Sequence, residues 1–346
     1  MRLSADARIL VARPDRIGDV VLSTPALRAL KKSYPRAHVT VAVRAAVAPL
    51  LRGLDCVDQI LIFDPEGGHA GWSGRGRLIS EIRAGKFDAA IVLQSHRRLS
   101  GAIWAARVPV RIGPLGKPHS YLFFNQGIRQ KRSRVRMHEA DYNLELLRPL
   151  GVEAKSREFG PRVVISEECK ARAAEWMGGQ MAKPSWGRGR CVAVHPGMGG
   201  SALNWPEERY CDLVGRLVRA GRRVVVTGGA GEAALVERVA GSSGAAIWIG
   251  DRGRGIDDLG ALLAECGLMV APSTGPLHVA VALGVPVVAF YPRIRVQSPE
   301  RWGPYFAEGE GRAEVLAPPD ERSPMDAISM DAALAAVEKL LPFGEE

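Results

Sequence analysis

The sequence contains no run of about 18 uncharged apolar residues, which excludes a membrane-spanning helix. Residues 1–7 carry charge and lead directly into a strand-like run, so they do not read as a secretory signal. Cysteine is scarce and scattered: five residues, Cys56, Cys169, Cys191, Cys211 and Cys266, with no CxxC pair. That spacing supports neither a disulfide framework nor a zinc site, and the expected compartment is the reducing cytoplasm. Aromatic residues make up 6% of the chain and no aromatic RNA-binding motif occurs. A protein that stacks nucleic-acid bases is therefore not expected. No GxGxxG follows a strand-like run, which argues against a nicotinamide dehydrogenase. No DxD-type acidic cluster stands at a strand end, and Asp257-Asp258 opens a helix, where capping accounts for it. Neither a metal nor a cofactor is expected.

What is present is a chain of 346 residues, 47% hydrophobic and 24% charged, enough for about two domains. The net charge of +10 points to an anionic partner. Short apolar runs at 8–12, 38–43, 59–63 and 89–93 read as strands, separated by helical spacing at 25–33, 47–51 and 78–84. Residues 166–177 read as a polar helix, followed by the Gly- and Pro-rich stretch GGQMAKPSWGRGR, a linker candidate. The alternation then restarts. Strands are expected at 191–194, 223–227, 246–249, 268–271 and 285–290, with helices at 206–220, 232–240, 256–266, 276–283 and 331–341. Buried strands alternating with amphipathic helices predict two parallel sheets, each covered on both faces.

Four strand-to-helix loops carry candidate chemistry. Arg13-Pro14-Asp15-Arg16-Ile17-Gly18-Asp19 places carboxylates and arginines in the first βα loop, where α/β proteins gather ligands. Asp19 reads either as an acid/base carboxylate or as a helix cap. His195-Pro196-Gly197-Met198-Gly199-Gly200-Ser201 offers glycines whose backbone N–H groups can approach an anion, and Asn204 follows. Thr227-Gly228-Gly229-Ala230-Gly231-Glu232 adds a carboxylate that suits either ribose hydroxyls or a helix N-terminus. Pro272-Ser273-Thr274-Gly275-Pro276-Leu277-His278 places hydroxyls, a histidine and a helix start together, an arrangement that attracts phosphate. The segment 129–136 is dense in Arg and Lys and suits an anionic ligand.

In this order, RPDRIGDVVLSTPALRAL, HPGMGGSALNWPEERY, VVVTGGAGE and PSTGPLHVAVALGVPVVAFY resemble the heptosyltransferases of glycosyltransferase family 9. The resemblance covers nearly the whole chain and is weakest between Gly67 and Gly85 and through the linker. It implies an α/β GT-B fold: two Rossmann-like domains facing across a cleft, with the C-terminal helix returning to the first domain. The implied division is an acceptor-binding domain over 1–165 joined by helix 328–346, a linker over 166–189, and a nucleotide-sugar-binding domain over 190–327. The implied activity is inverting, metal-independent transfer of heptose from ADP-heptose to the lipopolysaccharide inner core. Another donor or acceptor within the family, or a sugar-nucleotide epimerase of the same fold, is the alternative.

Asp19 matches the family's general base. Thr274, Gly275 and His278 match contacts to the donor diphosphate and sugar, and Glu232 lies near a ribose-binding acid. Gly199, Gly200, Ser201, Asn204, Thr227, Gly228 and Ser273 complete the expected donor set. Arg16, Gln94, Arg97, Arg132, Arg134 and Arg136 form the expected acceptor set. The implied partners are a nucleotide sugar and an anionic lipid-linked saccharide, with peripheral contact at the inner membrane and no nucleic acid. Two positions depart from the family pattern. Leu203 stands where many members have Lys, and Ser273 where several have Asp.

Overall fold

The computed structural model describes residues 1–180, 190–200, 202–250 and 253–342. It divides into two compact units, Met1–Val164 and Ile165–Glu346.

The first unit is a six-stranded sheet whose neighbouring strands all pair in parallel, in the order β3-β2-β1-β4-β5-β6. Its strands are β1 Arg8–Ala12, β2 His38–Val43, β3 Gln59–Ile62, β4 Ala89–Val92, β5 Val110–Pro114 and β6 Gln126–Ile128. Its helices are α1 Ile17–Val21, α2 Thr24–Ser33, α3 Gly71–Ala84, α4 Arg97–Ala105, α5 Pro118–Phe123 and α6 Glu139–Glu145. Central strands β1 and β4 are sealed on both faces, with Ile9, Leu10, Ala90, Ile91 and Val92 fully buried. That explains their unbroken apolar runs, each such valine, leucine or isoleucine being worth about 1.5–3 kcal/mol on burial. Helix α2 opens with Pro25 in its first turn and carries Lys31 and Lys32 in its last, where the helix dipole favours cations.

The second unit repeats the plan, in the order β12-β11-β10-β7-β8-β9, again parallel throughout. Its strands are β7 Cys191–Val194, β8 Arg223–Gly229, β9 Ala246–Gly250, β10 Cys266–Pro272, β11 Val287–Phe290 and β12 Ala313–Leu316. Its helices are α7 Glu167–Gln180, α8 Glu207–Arg219, α9 Ala233–Ala240, α10 Ile256–Glu265, α11 Gly275–Ala282, α12 Pro299–Trp302 and α13 Met330–Leu340. Both sheets follow the doubly wound order, so each has one point where the strand order reverses: between β1 and β4, and between β7 and β10.

Three expectations change. Strands β5, β6 and β12 were not legible from pattern; β5 and β6 carry Pro114, Gly113 and Gly127, and β12 is half exposed. Helix α7 forms where a polar helix was expected, but within the implied linker 166–189 it belongs to the second unit, through Arg172 Nη2 paired with Asp258 Oδ1 of α10 at 2.6 Å; residues 181–189 lie outside the described residues. The C-terminal helix, expected to join the first domain, packs in the second unit. Met330, Ala333, Ala336, Val337 and Leu340 of α13 are buried in the core of the second, beside Trp205, Leu213, Val288 and Phe290. The apolar stripe of α13 finds a ready partner there: Trp205 stacks on Phe290 at 4.5 Å and its Nε1 donates to Ile328 O at 3.0 Å just before the helix.

Candidate active site

In the first unit, the loop after β1 stands at the strand-order reversal, where an open α/β sheet leaves a crevice at its carboxyl edge. Arg13 N extends the ladder by donating to Ala42 O at 3.0 Å, and this turns the Arg13 side chain inward, 2% exposed. Its Nε stands 2.9 Å from Asp15 Oδ2, its Nη1 donates to Asn143 Oδ1 at 3.1 Å, and its Nη2 donates both to Asp19 Oδ1 and, at 3.1 Å, to Glu139 Oε1. Arg132 Nη1 donates to the same Glu139 oxygen, while its Nε binds Gln130 Oε1 at 2.7 Å and its Nη2 binds Leu93 O at 2.9 Å. Two guanidiniums and three carboxylates thus form one network.

Burial alone would lower the basicity of Arg13, but Asp19, Glu139 and Asp15 outweigh it and raise it above arginine's ordinary value. Burial pushes the Asp15 carboxyl up against the opposing pull of Arg13, and repulsion from Asp19 and Glu139 adds to the rise. Asp19 is not the helix cap. The cap of α1 is Arg16, without a side-chain bond, and Asp19 lies in the first turn. Its side chain is 20% exposed while that of Glu139 is 1% exposed, so of these two Arg13 partners Asp19 is the one that a substrate can reach.

Beside this loop, at the carboxyl ends of β2, β3 and β4, lies a cavity of about 780 Å³ lined by Arg44, Trp72, Arg75, Arg97, Arg98 and Phe123, among others. Arg44 Nε donates to Pro14 O at 3.2 Å and so ties the cavity wall to the β1 loop. His96 is also in the wall, and its imidazole is pushed down by burial and then by Arg44 and Arg98. Trp72 is 87% exposed at the first turn of α3.

In the second unit, the loops after β7 and β10 flank the other reversal point. His195 is buried, with Nδ1 3.0 Å from Thr227 Oγ1 and Nε2 3.8 Å from Glu232 Oε2. Burial lowers its pKa to about 4, against the opposing attraction of Glu232. Glu232 Oε2 accepts from Gly229 N at 3.0 Å. A Cβ on Gly197 would fall 2.0 Å from Glu232 Oε1, so glycine is what lets this carboxylate lie over the β7 loop. Gly199 and Gly200 turn the exposed loop with φ of +55° and +68°, the left-handed region that favours glycine. Asn204 braces that loop: Nδ2 donates to Pro196 O at 2.7 Å and Oδ1 accepts from Tyr210 Oη at 3.0 Å.

After β10, Thr274 is the residue before α11 and makes no side-chain cap. Pro276 in the first turn has no N–H, which leaves the N–H groups of Thr274, Gly275 and Leu277 at a helix start, a position that in general attracts anions. His278 is buried in the first turn. Ser273 hydrogen-bonds the Tyr291 phenol, which burial pushes above its ordinary value.

The structure therefore brings Asp19 into contact with Arg13, and Arg132 into the same network. Thr227, Glu232 and the His195–Gly200 loop meet at one place. Arg16, Arg97, Arg134 and Arg136 are exposed and Gln94 is half-buried; Gln94 and Arg97 follow β4 at the reversal point. Ser201 lies outside the described residues. Sequence reading missed Glu139 and Asn143 because α6 lacked a visible pattern. It also missed Arg44, Trp72, Arg75 and Arg98; the one available signal was the density of Trp, Gly and Arg at 71–77. Among the described residues, no group of three His, Cys, Asp or Glu is placed to hold a metal ion, and no helix is long and apolar enough to cross a membrane.

Two doubly wound units, each with a parallel six-stranded sheet, give the GT-B fold of glycosyltransferases. The sequence profile of glycosyltransferase family 9 (heptosyltransferase) matches residues 75–312. A Haemophilus influenzae relative, named only at the level of glycosyltransferase, is 30% identical over 349 residues, covering 95% of each chain. Lipopolysaccharide heptosyltransferase 2 of Salmonella typhimurium is 26% identical over 294 residues, covering 82% of each chain. The crystal structure of a family 9 glycosyl transferase from Veillonella parvula superposes with a TM-score of 0.86 at 26% identity, covering 99% of this chain and 98% of that one. The chain belongs to glycosyltransferase family 9, the heptosyltransferase family, and is a transferase enzyme.

Proposed function

We propose that this transferase moves a heptose from ADP-heptose to an anionic saccharide of the lipopolysaccharide inner core, with inversion and without a metal, on the cytoplasmic side of the inner membrane. The observation that carries the reading is Asp19: a reachable carboxylate at the first unit's reversal point, held by a buried arginine. In this reading Asp19 takes the proton of the acceptor hydroxyl as that oxygen attacks the anomeric carbon from the face opposite the nucleotide. The C1–O bond to the diphosphate breaks and ADP leaves. Backbone N–H groups at Thr274, Gly275 and the Gly199-Gly200 turn meet the departing charge, an electrostatic contribution that needs no metal. Glu232 is assigned the ribose hydroxyls; His195, hydrogen-bonded to Thr227, lies 3.8 Å from its carboxylate.

The first unit is assigned the acceptor. The cavity with Arg44, Arg75, Arg97 and Arg98 joins positive charge to an exposed indole, which suits a sugar bearing carboxylates or phosphates. Arg16, Arg134 and Arg136 supply further exposed cations, and Gln94 a neutral polar group near Asp19's loop.

The test is ADP release from ADP-heptose with and without deacylated inner-core lipopolysaccharide, in wild type and Asp19→Asn, with EDTA present in parallel. Acceptor-dependent release that falls about 10²–10⁴-fold in Asp19→Asn is expected. Acceptor-independent turnover would point to the epimerase alternative, and full activity in the variant would remove Asp19 as the base.

A further inference from the structure

The positive charge of this chain is concentrated in one stretch. Residues 89–138 contain ten Lys or Arg and no Asp or Glu, so they alone carry a charge equal to the net +10 of the whole chain. They build strands β4, β5 and β6, one half of the first sheet, together with helices α4 and α5. Apolar surface accompanies the charge. Among the described residues, the exposed aromatic side chains are Trp72 on α3, Trp104 on α4 and Tyr121 on α5. Leu122, next to Tyr121, is 63% exposed. Helix α4 packs against both α3 and α5. Phe123 joins the pieces: it shares a cavity wall with Trp72, its ring lies 6.1 Å from that of Trp104, and the missing Cβ at Gly101 lets it lie against α4. Cations surround these groups. Arg97 and Arg98 are exposed in the first turn of α4, Lys117 precedes α5, and the Arg129 guanidinium lies 5.6 Å from the centre of the Tyr121 ring. Glu66, an acid in the cavity wall, is paired with Arg44 at 3.3 Å.

A purely ionic ligand accounts for the arginines but not for Leu122, whose exposure to water is unfavourable unless an apolar phase receives it. A bilayer surface answers both. Tryptophan and tyrosine rest at headgroup level, leucine reaches the acyl chains, and Lys and Arg meet anionic headgroups. We propose that the α4–α5 face of the first unit, with Trp104, Tyr121 and Leu122 at its centre and Arg97, Lys117 and Arg129 around them, docks on the surface of an anionic phospholipid bilayer. The face adjoins the cavity assigned to the acceptor through Phe123, so docking brings that cavity to the surface in which a lipid-linked saccharide is anchored. The purpose of docking rests on that reading of the acceptor; the docking itself does not.

The experiment is co-sedimentation of the full chain with vesicles of phosphatidylglycerol and phosphatidylethanolamine, with phosphatidylcholine vesicles as the neutral control. Wild type is expected to bind the anionic vesicles, and less so as NaCl rises, because screening shortens from about 10 Å at 0.1 M to about 3 Å at 1 M. Tyr121→Ser with Leu122→Ser weakens binding by about tenfold or more, and Lys117→Gln with Arg129→Gln by about tenfold. Lipids brominated in the acyl chain quench the tryptophan fluorescence of wild type, and quench Trp72→Phe with Trp104→Phe much less. Transfer to deacylated, soluble acceptor is unchanged in Tyr121→Ser with Leu122→Ser, whereas KM for acceptor embedded in vesicles rises. No binding by wild type, or binding that both double variants leave intact, overturns the inference. Binding that only the Lys117 and Arg129 substitutions weaken, with no quenching by brominated lipid and with displacement by heparin, makes the face a polyanion site and also overturns it. Should the Tyr121 and Leu122 variant fail to fold, the fluorescence decides: quenching lost in the Trp72 and Trp104 variant supports docking, and quenching that persists there refutes it. Absence of transfer to either acceptor refutes the proposed function, and the vesicle results then decide the docking by themselves.

Discussion

The buried histidine of the β7 loop makes the second unit sensitive to acid in a way that can be calculated. His195 has a pKa of about 4 in the folded chain, against an ordinary value of 6.5. Burial is the main cause, and Glu232 at 3.8 Å offsets only part of it. A group depressed in this way contributes full stability above the unfolded value. Below that value the unfolded chain takes up a proton that the folded chain refuses, so stability falls as pH drops from about 6.5 towards 4. Between pH 7 and pH 5 the difference amounts to about 2 kcal/mol, since one pKa unit corresponds to about 1.4 kcal/mol. For a unit of this size that lowers Tm by about 4–8 °C. His195→Asn keeps a polar atom near Thr227 Oγ1 but does not titrate. The assay is thermal unfolding of both proteins across this pH range. The variant is expected to start less stable and to lose less on acidification. Parallel pH profiles for the two proteins would show that His195 is not held neutral in the fold, and would refute the reasoning.

Other outcomes follow from single contacts. Gly197→Ala forces the Glu232 carboxylate off Gly229 N, because the new Cβ would lie 2.0 Å from Oε1; losing a charged hydrogen bond costs about 1.5–3 kcal/mol in chemical unfolding, and ADP binding weakens with it. Leu203 is 52% exposed, so Leu203→Lys folds normally, and titration calorimetry with ADP-heptose is expected to show equal or tighter binding; severe loss would mean that this position must be apolar. Leu340→Ala, at a side chain 3% exposed in the second unit's core, costs about 2–5 kcal/mol, and hydrogen exchange is expected to report it in the second unit and not in the first. Arg134→Gln with Arg136→Gln flattens the rise of acceptor KM with salt, exposed charges being screened beyond about 8 Å at physiological ionic strength; an unchanged salt dependence would mean that both arginines face only water.

Periodicity and composition determined the strands that carry the chemistry. Runs such as RILVA and HVTVAV are buried on both faces, so their burial is written into an unbroken apolar pattern, and β1 and β2 have the bounds read from the sequence. The loops that follow the central strands were legible for the same reason, since a strand end followed by glycine or a helix start is a local signal. Edge strands β6 and β12 were not legible, because a half-exposed strand needs no such run. Asp19 was visible as a candidate, but whether it caps a helix or meets an arginine depends on where Arg13 points. Arg13 itself reads equally well as a solvated charge. Only tertiary structure brings Glu139, Asn143 and Arg132 to it from more than a hundred residues away, and only tertiary structure sends α13 to the second unit's core. The physical reason is common to both: an amphipathic stripe or a charge states in sequence that it needs a partner, and the identity of the partner is decided by which surfaces the completed sheets leave within reach.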